Sequence, residues 1–308
     1  MNPRAQIRML PDSQRVHMQD GPIDLILEAF GPPGEVERAY QAAAARFVTV
    51  LDELCAELSF LRQRIPPFEN RERWGTHIPT SANGPIARRM VEAVHPYATE
   101  HFITPMAAVA GAVAEEILGA MTSEAELLRV YANDGGDIAL HLTPGEQFVI
   151  GMVERPDRPS LFGTTTVEFD HPIRGIATSG WRGRSSSLGI ADAVTVLADT
   201  AAGADAAATI VANAVDLPGH PAIGREPACD LAPDSDLGER LVTQAVGKLA
   251  PVEIREALDS GLRIAELLRQ RGLIRAAALN LQGEIRVCGR TYGDAALAGQ
   301  SNRSLVHA

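Results

Sequence analysis

The sequence predicts an α+β fold in which antiparallel strands and packed helices share one core. Three observations support this: short apolar runs bounded by turn residues, helices with apolar residues every three or four positions, and no regular alternation of one strand with one helix. That alternation is typical of a doubly wound sheet, whereas a mixed order favours α+β. With 308 residues, of which 45% are apolar and 22% charged, the chain can bury a full core.

The acidic composition argues against nucleic acid and anionic membrane surfaces as partners, because the net charge is −11. The cysteines, Cys55, Cys229 and Cys288, are far apart and form no Cys-x-x-Cys pair, which argues against a disulfide framework or a cysteine zinc site. No run reaches the roughly 18 to 20 apolar residues of a membrane span. Residues 1–22 contain no apolar core of a signal peptide, so we expect a cytoplasmic protein.

The elements are predicted in chain order from hydrophobic spacing and from Gly and Pro boundaries. An apolar run predicts a strand at 23–30, and the three-and-four spacing after Gly31-Pro32-Pro33-Gly34 predicts a helix at 35–64. Further helices are predicted at 84–95, 106–121, 203–214, 241–249 and 251–272. Strands are predicted on both flanks of the turn at 133–137 and at 147–152, 164–169, 175–178, 192–198, 277–281 and 284–287.

The chain is predicted to be a single α+β domain covering 1–308. Its recognisable core covers about 20–216, and a proline-rich and acidic connection at 217–236 opens a C-terminal lobe at 217–292. Residues 293–308 are expected to be disordered. Twice the chain places a helix of small residues beside a strand with a polar or glycine turn, which indicates a duplicated unit.

The turn Asn133-Asp134-Gly135-Gly136-Asp137 is the first candidate for a ligand-binding segment. Gly and Asn tolerate positive φ, so the residues are typical of a tight hairpin turn. The alternative is the wall of a site for a phosphorylated or metal-bound ligand. Both interpretations are open at this point.

The second candidate is the loop that begins at Thr178-Ser179-Gly180 and continues through Arg182 and Arg184. Arginine forks and backbone amides recognise phosphate and carboxylate groups. A solvated loop whose arginines offset an acidic surface is the alternative, although Trp181 is unusual in a featureless loop.

Asp205 and Thr209 form the third candidate, because four residues on a helix place two oxygens on one face. A carboxylate and a hydroxyl suit a hard cation such as Mg²⁺. The structural alternative is that Asp205 stabilises the first turn of its helix through the dipole.

The helix entry at 104–111 is the fourth candidate. Thr104 before Pro105 is a normal helix start, and small residues such as Ala108 and Gly111 leave room either for another backbone or for a planar ligand. We expect Glu115 and Glu116 to mark the solvent side of this helix. No Walker loop, G-x-G-x-x-G or G-x-S-x-G motif is present, and the histidines have no ligand spacing, so no catalytic residue is assigned.

Five short motifs, taken in order, resemble those of the ApbE superfamily of flavin transferases. Members of that family carry an AKG-type helix, an N-x-GGDI turn, a TSG segment, an SVTV-like strand and an ADALAT-type helix. The matching segments here are AVAG at 108–111, NDGGDI at 133–138, TSG at 178–180, VTV at 194–196 and ADAAAT at 204–209. The longer sequence segments around these motifs resemble an uncharacterised ApbE-like branch.

The resemblance implies a T-fold-related architecture of duplicated ββααββ units, with FAD or another flavin nucleotide in a cleft between the lobes. It also implies Mg²⁺ held by Asp205 and Thr209, with a backbone carbonyl of Ala108 or Val109 as a further ligand. The residues expected to bind the cofactor are Ala108, Gly111, Asn133, Gly135, Gly136, Asp137, Thr178, Ser179, Gly180, Arg182 and Arg184.

The chain departs from the family pattern where the transferases carry a histidine followed by DPxTG. The residues here are RSSSLGIAD at 184–192, and the lysine of AKG is Ala110. Three functions therefore stay open: flavin-nucleotide transfer or pyrophosphatase-like chemistry, a non-catalytic cofactor-binding or assembly partner of a reductase, and an enzyme for a carboxylate-bearing small molecule. The expected partners are a phosphorylated small molecule and, as further alternatives, a redox enzyme or a second copy of the chain.

Overall fold

The computed structural model describes residues 4–65, 82–153, 161–289 and 305–307. Within it the chain forms two compact units that are interleaved in sequence. Unit 1 comprises Met1–Gln147, Glu168–Ile176 and Thr200–Gly203, and unit 2 comprises Phe148–Val167, Ala177–Asp199 and Ala204–Ala308. The predicted division into a core and a C-terminal lobe does not coincide with these units, because residues 217–289 belong to unit 2 together with much of the predicted core.

Unit 1 contains an antiparallel sheet with the strand order β1-β2-β3-β4-β5 and the start of β8. Its strands are β1 (Gln6–Met9), β2 (Arg15–Asp20), β3 (Ile23–Phe30), β4 (Arg129–Asp134), β5 (Asp137–Leu142) and β8 (Gly175–Ser179). Each successive pair from β1 to β5 is antiparallel, as is β5 with β8. Buried residues alternate with less buried ones at the start of β3, which is the pattern of a strand with one face on a core.

The helices of unit 1 are α1 (Pro33–Leu61), α2 (Pro85–Val94) and α3 (Val109–Glu124), with 3-10 turns at His95–Tyr97 and Pro105–Ala108. Helix α3 packs against α1, β4 and β5. The stretch Pro105–Glu124 is long and apolar enough to cross a membrane by length and composition alone. Its buried residues, among them Val113, Ile117 and Met121, pack inside unit 1, which is the arrangement of a core helix.

Unit 2 contains three groups of strands. The first has the order β8-β9-β12-β13, with β9 at Ala193–Ala198, β12 at Ala276–Leu281 and β13 at Glu284–Gly289. The second, β14-β6-β7, consists of Leu305–His307, Gln147–Val153 and Leu161–Glu168. The third pairs β10 (Ile223–Pro227) with β11 (Leu241–Val246). The helices are α4 (Ala201–Ala214), whose first three residues belong to unit 1, α5 (Ala228–Leu231) and α6 (Pro251–Gln270).

The structure confirms the α+β class, with antiparallel sheets and packed helices. All six residues of β9 and all six of β12 are buried, and the two strands pair with each other, so the C-terminal part of the chain supplies a central strand of unit 2. The duplicated ββααββ unit stays a prediction.

Two predictions for the C-terminal part are wrong. Residues 241–249 do not form a helix capped by Ser235 or Asp236, because Leu241–Val246 is strand β11. This strand pairs antiparallel with β10, which lies in the segment expected to be a surface connection. The expected disorder of the tail is contradicted at Leu305–His307, which pairs in parallel with β6. Residues 293–304 and 308 lie outside the described residues.

His141 on β5 predicts a pH dependence of stability. Burial, with a smaller contribution from Arg174, lowers the pKa of His141 below its ordinary value of 6.5. A depressed pKa favours the neutral ring in the folded state, so the stability contributed by His141 is complete above pH 6.5 and is lost as the pH falls towards the folded-state pKa. Urea unfolding between pH 8 and pH 5 should show a smaller acid-side loss in His141→Gln than in the wild type. Parallel curves for the two proteins would refute this assignment.

Candidate functional site

Within the segment 133–137, Gly135 and Gly136 form a two-residue hairpin turn between β4 and β5. Asp134 pairs with Asp137, and Gly135 and Gly136 have φ values of 64° and 116°, which the primed turns of hairpins require. The side-chain oxygen of Asn133 accepts a hydrogen bond from the Gly136 amide at 2.8 Å. The turn is also held from β3, because the Asp24 amide donates to Asp134 Oδ1 at 3.1 Å.

The start of α3 lies directly against the start of α4. A Cβ atom added to Gly111 would lie 2.4 Å from the carbonyl oxygen of Ala201, and one added to Gly175 would lie 2.0 Å from that of Thr200. Both glycines are therefore required for close backbone contact. This packing accounts for Gly111, one of the residues predicted to bind the cofactor, without any ligand.

The prediction that Glu115 and Glu116 face solvent is wrong. The exposed fractions of their side chains are 18% and 15%, and Arg89 pairs with both of them. Glu115 Oε1 also accepts a hydrogen bond from the Ala202 amide at 2.8 Å, while Thr200 Oγ1 accepts one from Gly203. The first amides of α4 are therefore capped inside unit 1.

Glu115 experiences two opposing influences. Its burial raises the pKa, because burial disfavours the charged carboxylate, whereas the hydrogen bond from Ala202 and the charge of Arg89 favour that form. The net effect is a raised pKa for Glu115. Burying this carboxylate against the start of α4 therefore carries an electrostatic cost.

In unit 2, the TSG segment lies at the end of β8. Thr178 Oγ1 is 2.9 Å from Thr195 Oγ1 on β9. The TSG and VTV motifs thus each contribute one hydroxyl to this hydrogen bond. A Cβ atom added to Gly180 would lie 2.6 Å from the Asp192 carbonyl oxygen, and the Trp181 amide donates to Ala191 at 3.0 Å. The loop therefore folds back onto the residues that precede β9.

Asp192 is the anchor of this loop. Its Oδ1 accepts hydrogen bonds from Trp181 Nε1 at 3.2 Å and from Arg182 Nε at 2.5 Å. Its Oδ2 accepts one from the Gln282 amide at 2.6 Å, and the residue is only 4% exposed. The Arg182 guanidinium lies over the Trp181 ring, 4.2 Å from its centroid. Arg182 is thus held by a buried carboxylate and an aromatic face, whereas Arg184 is exposed.

The segment that replaces the DPxTG motif is rigidly packed from residue 187 onwards. The side-chain oxygen of Asn213 accepts a hydrogen bond from the Leu188 amide at 2.9 Å. A Cβ atom added to Gly189 would lie 2.1 Å from the Ala212 carbonyl oxygen, at the end of α4. Only residues 183–186 are exposed, so the solvated-loop interpretation applies to that short part alone.

Asp205 and Thr209 lie one turn apart on α4, and both are partly exposed. Oxygen donors of this kind fit Mg²⁺, which completes its coordination with water and phosphate oxygens. Among the described residues there is no cluster of three or more His, Cys, Asp or Glu side chains that could hold a metal. The pair therefore offers two oxygen ligands.

The predicted site residues divide between the two units. Unit 1 contains Ala108, Gly111, Asn133, Gly135, Gly136 and Asp137, and unit 2 contains Thr178, Ser179, Gly180, Arg182, Arg184, Asp205 and Thr209. Two carboxylates that fix these segments were missed: Asp192 had no predicted role, and Glu115 was expected at the solvent side of its helix. Asp192 could have been identified from its position, because an acid directly before the apolar run 193–198 is expected to need a partner when buried.

The α+β fold, with these motifs in this order, defines an ApbE-like protein. A family model described as AbpE bacteria matches residues 7–287, and the chain belongs to that family. The match confirms the resemblance indicated by the motifs and extends it through strand β12 into β13.

The similar curated proteins are named UPF0280 protein. Identity is 38% over 128 residues with the one from Methanopyrus kandleri, covering 42% of this chain and 48% of the relative. It is 30% over 195 residues with the one from Methanosarcina acetivorans, covering 63% and 70%. The chain spans about half the length of most of the curated relatives it matches.

Two solved structures of low similarity are those of proteins named flavin transferases. The Flavin Transferase ApbE from Vibrio cholerae has a TM-score of 0.37 and 13% identity, covering 92% of this chain and 97% of that chain. The Pseudomonas stutzeri flavinyl transferase ApbE in its apo form has a TM-score of 0.37 and 12% identity, covering 92% and 94%. These scores are too low to transfer geometry.

Proposed function

We propose that this ApbE-like protein binds a flavin nucleotide together with Mg²⁺. The observation that carries the proposal is the Asp205–Thr209 pair, which presents a carboxylate and a hydroxyl one turn apart on α4 at the position of the family's ADALAT-type motif. Membership of the AbpE bacteria family supports it. Mg²⁺ bound there would neutralise and orient the phosphates of the nucleotide.

The chain's own residues have distinct roles in this proposal. Asp205 and Thr209 hold the metal. Arg182, fixed by Asp192, directs its guanidinium to a phosphate oxygen, for which its planar fork is suited. The other residues proposed to contact the ligand are Ala108, Asn133, Gly135, Gly136, Asp137, Thr178, Ser179, Gly180 and Arg184.

Titration with FAD in the presence and absence of Mg²⁺ tests this function. We expect saturable binding that requires Mg²⁺ in the wild type, and affinity reduced at least about tenfold in Asp205→Asn, which removes the charge on one ligand at nearly constant size. Asp216→Asn is a control, because Asp216 pairs with Arg225 and is not a proposed ligand. Absence of FAD binding by the wild type, or equal affinity in wild type and Asp205→Asn, would contradict the proposal.

A second candidate function is binding of the nucleotide without FMN transfer, as a carrier or assembly partner of a reductase. Two observations favour it. There is no histidine between His171 and His220, and Asp192, the acid closest to the replaced DPxTG segment, is engaged by Trp181, Arg182 and Gln282. Both carboxylate oxygens of Asp192 are therefore occupied by hydrogen bonds that hold the loop.

Chromatography of FAD after incubation with protein and Mg²⁺ distinguishes nucleotide binding alone from chemistry on the bound nucleotide. Unchanged FAD together with measurable binding would support the carrier function. Hydrolysis of the FAD pyrophosphate by water to FMN and AMP, lost in Asp205→Asn, would support pyrophosphatase-like chemistry instead.

A further inference from the structure

A surface cavity of about 340 Å³ lies within unit 2, apart from the Asp205–Thr209 pair. It is lined by Arg182, Asp192, Val246, Gly247, Lys248, Gln282 and Gly283. The lining comes from three segments: the loop after β8, the connection from β11 to α6, and the turn between β12 and β13. Two of its side chains are cationic, in a protein whose net charge is −11.

Arg182 lines one side of this cavity. Its Nε donates to Asp192, and its guanidinium lies on the Trp181 ring, so the orientation of the fork is fixed. Within the described part of the chain, neither terminal nitrogen of Arg182 has a hydrogen bond to protein. Its side chain is 23% exposed and lines the cavity.

Lys248 is the second cation. It is the only lysine in a chain with 28 lysine and arginine residues. It is exposed, and in the described residues it has no ion pair. Lysine differs from arginine in carrying a compact charge on a flexible stem, so it can follow a ligand oxygen that a fixed fork does not reach.

Gln282 ties two of these segments together. Its Nε2 donates to the Gly247 carbonyl at 2.7 Å, and its Oε1 accepts from the Leu249 amide at 3.2 Å. Lys248 lies between these two residues in the chain, so its backbone is held from both sides. Gln282 itself has φ of 48°, a left-handed conformation that costs a non-glycine residue about 1 kcal/mol or more. The hydrogen bonds to Gly247 and Leu249 hold Gln282 in this conformation.

We propose that this cavity is a phosphate-binding site, with Arg182 as the fixed fork and Lys248 as the mobile charge. The two cations come from different segments, which suits a tetrahedral group whose oxygens point in several directions. One arginine fork already satisfies both oxygens of a carboxylate. The inference shares Arg182 with the proposed function and deepens it by adding Lys248 as a second phosphate contact, but phosphate binding here requires neither flavin nor Mg²⁺.

The single lysine permits a direct test in solution. Reductive methylation with ¹³C-formaldehyde labels Lys248 and the α-amino group while keeping their charge, and Lys248→Arg identifies which NMR signal belongs to the lysine. The labelled protein is titrated with inorganic phosphate and, separately, with acetate at constant ionic strength. We expect a saturable shift of the lysine signal with phosphate, and at least a tenfold weaker response to acetate.

Two variants locate the binding site. Arg182→Lys, which keeps the charge but removes the fork, should weaken phosphate binding about tenfold, whereas Arg255→Ala on the exposed face of α6 should not. Lys248→Gln, a substitution at an exposed position, should weaken it comparably by calorimetry. A lysine signal that does not saturate, an equal response to acetate, or unchanged affinity in either Arg182→Lys or Lys248→Gln would overturn the proposal. Asp205→Asn should retain phosphate binding even where FAD binding is lost, which separates this inference from the proposed function.

Discussion

Gly111→Ala is expected to destabilise the protein by about 3 kcal/mol, the upper range for overpacking. The added Cβ atom would lie 2.4 Å from the Ala201 carbonyl oxygen and 2.7 Å from the Ala202 nitrogen, and both atoms belong to backbone. A flexible side chain could move away, but the start of α4 is fixed by the caps from Thr200 and Glu115. The contact must therefore be relieved by movement of backbone within unit 1.

Gly119→Ala in the same helix is the matched control, and its expected effect has the opposite sign. Gly119 is exposed, and a Cβ atom added there meets nothing within 4 Å. Alanine is favoured over glycine within a helix by about 1 kcal/mol, so this variant should be more stable than the wild type. Urea unfolding of the three proteins measures both effects. Equal changes in stability in the two variants would show that Gly111 does not contact the backbone of Ala201 and Ala202 as closely as described.

Asp192→Ala should cost about 3–5 kcal/mol, the range measured when one partner of a buried ion pair is removed. The side chain is 6% exposed, and the substitution leaves Trp181 Nε1, Arg182 Nε and the Gln282 amide without their acceptor. The Arg182 charge then remains partly buried without its counter-ion. Thermal unfolding should show a large drop in the midpoint, and the loop after β8 should become accessible to trypsin at Arg182.

Asp199→Ala is the control for this prediction, because it removes an aspartate–arginine pair of the same chemistry at the surface. Asp199 and Arg275 have side chains 50% and 34% exposed, and solvent screening limits such pairs to about 1 kcal/mol or less. Equal losses in the two variants would mean that Asp192 does not anchor the loop.

The local elements were largely predictable from sequence. The strand at 23–30 is confirmed at both ends, because its apolar pattern is followed directly by Gly31-Pro32-Pro33-Gly34. The turn at 133–137 is confirmed for a similar reason, since Gly135 and Gly136 permit the positive φ that the hairpin requires. The Asp205–Thr209 spacing likewise needed only the helical repeat.

Contacts between residues distant in sequence were not predictable in the same way. Residues 241–246 were interpreted as a helix because their apolar spacing alone does not show that β10, some 20 residues earlier, supplies a strand partner. Asp192 is bound by Gln282, which lies 90 residues further along the chain. Glu115 was assigned to solvent because a helix of small residues gives weak contrast between its faces, and the amides it caps lie 87 residues away.

The family assignment also depended on several distant segments taken together. No single motif is specific, yet their order identified the ApbE relationship that the match over residues 7–287 confirms. The chemistry was not transferable with the fold, because the segment at 184–192 differs from the transferase motif and packs through its own contacts with Asn213 and Gln282.

Native mass spectrometry with FAD tests the central claim most directly. With Mg²⁺ present, the wild-type chain should gain the mass of one FAD, and Asp205→Asn should gain none under the same conditions. A wild-type chain that shows no FAD adduct with Mg²⁺, or an adduct of equal intensity in Asp205→Asn, would contradict binding of the nucleotide through the Asp205–Thr209 pair.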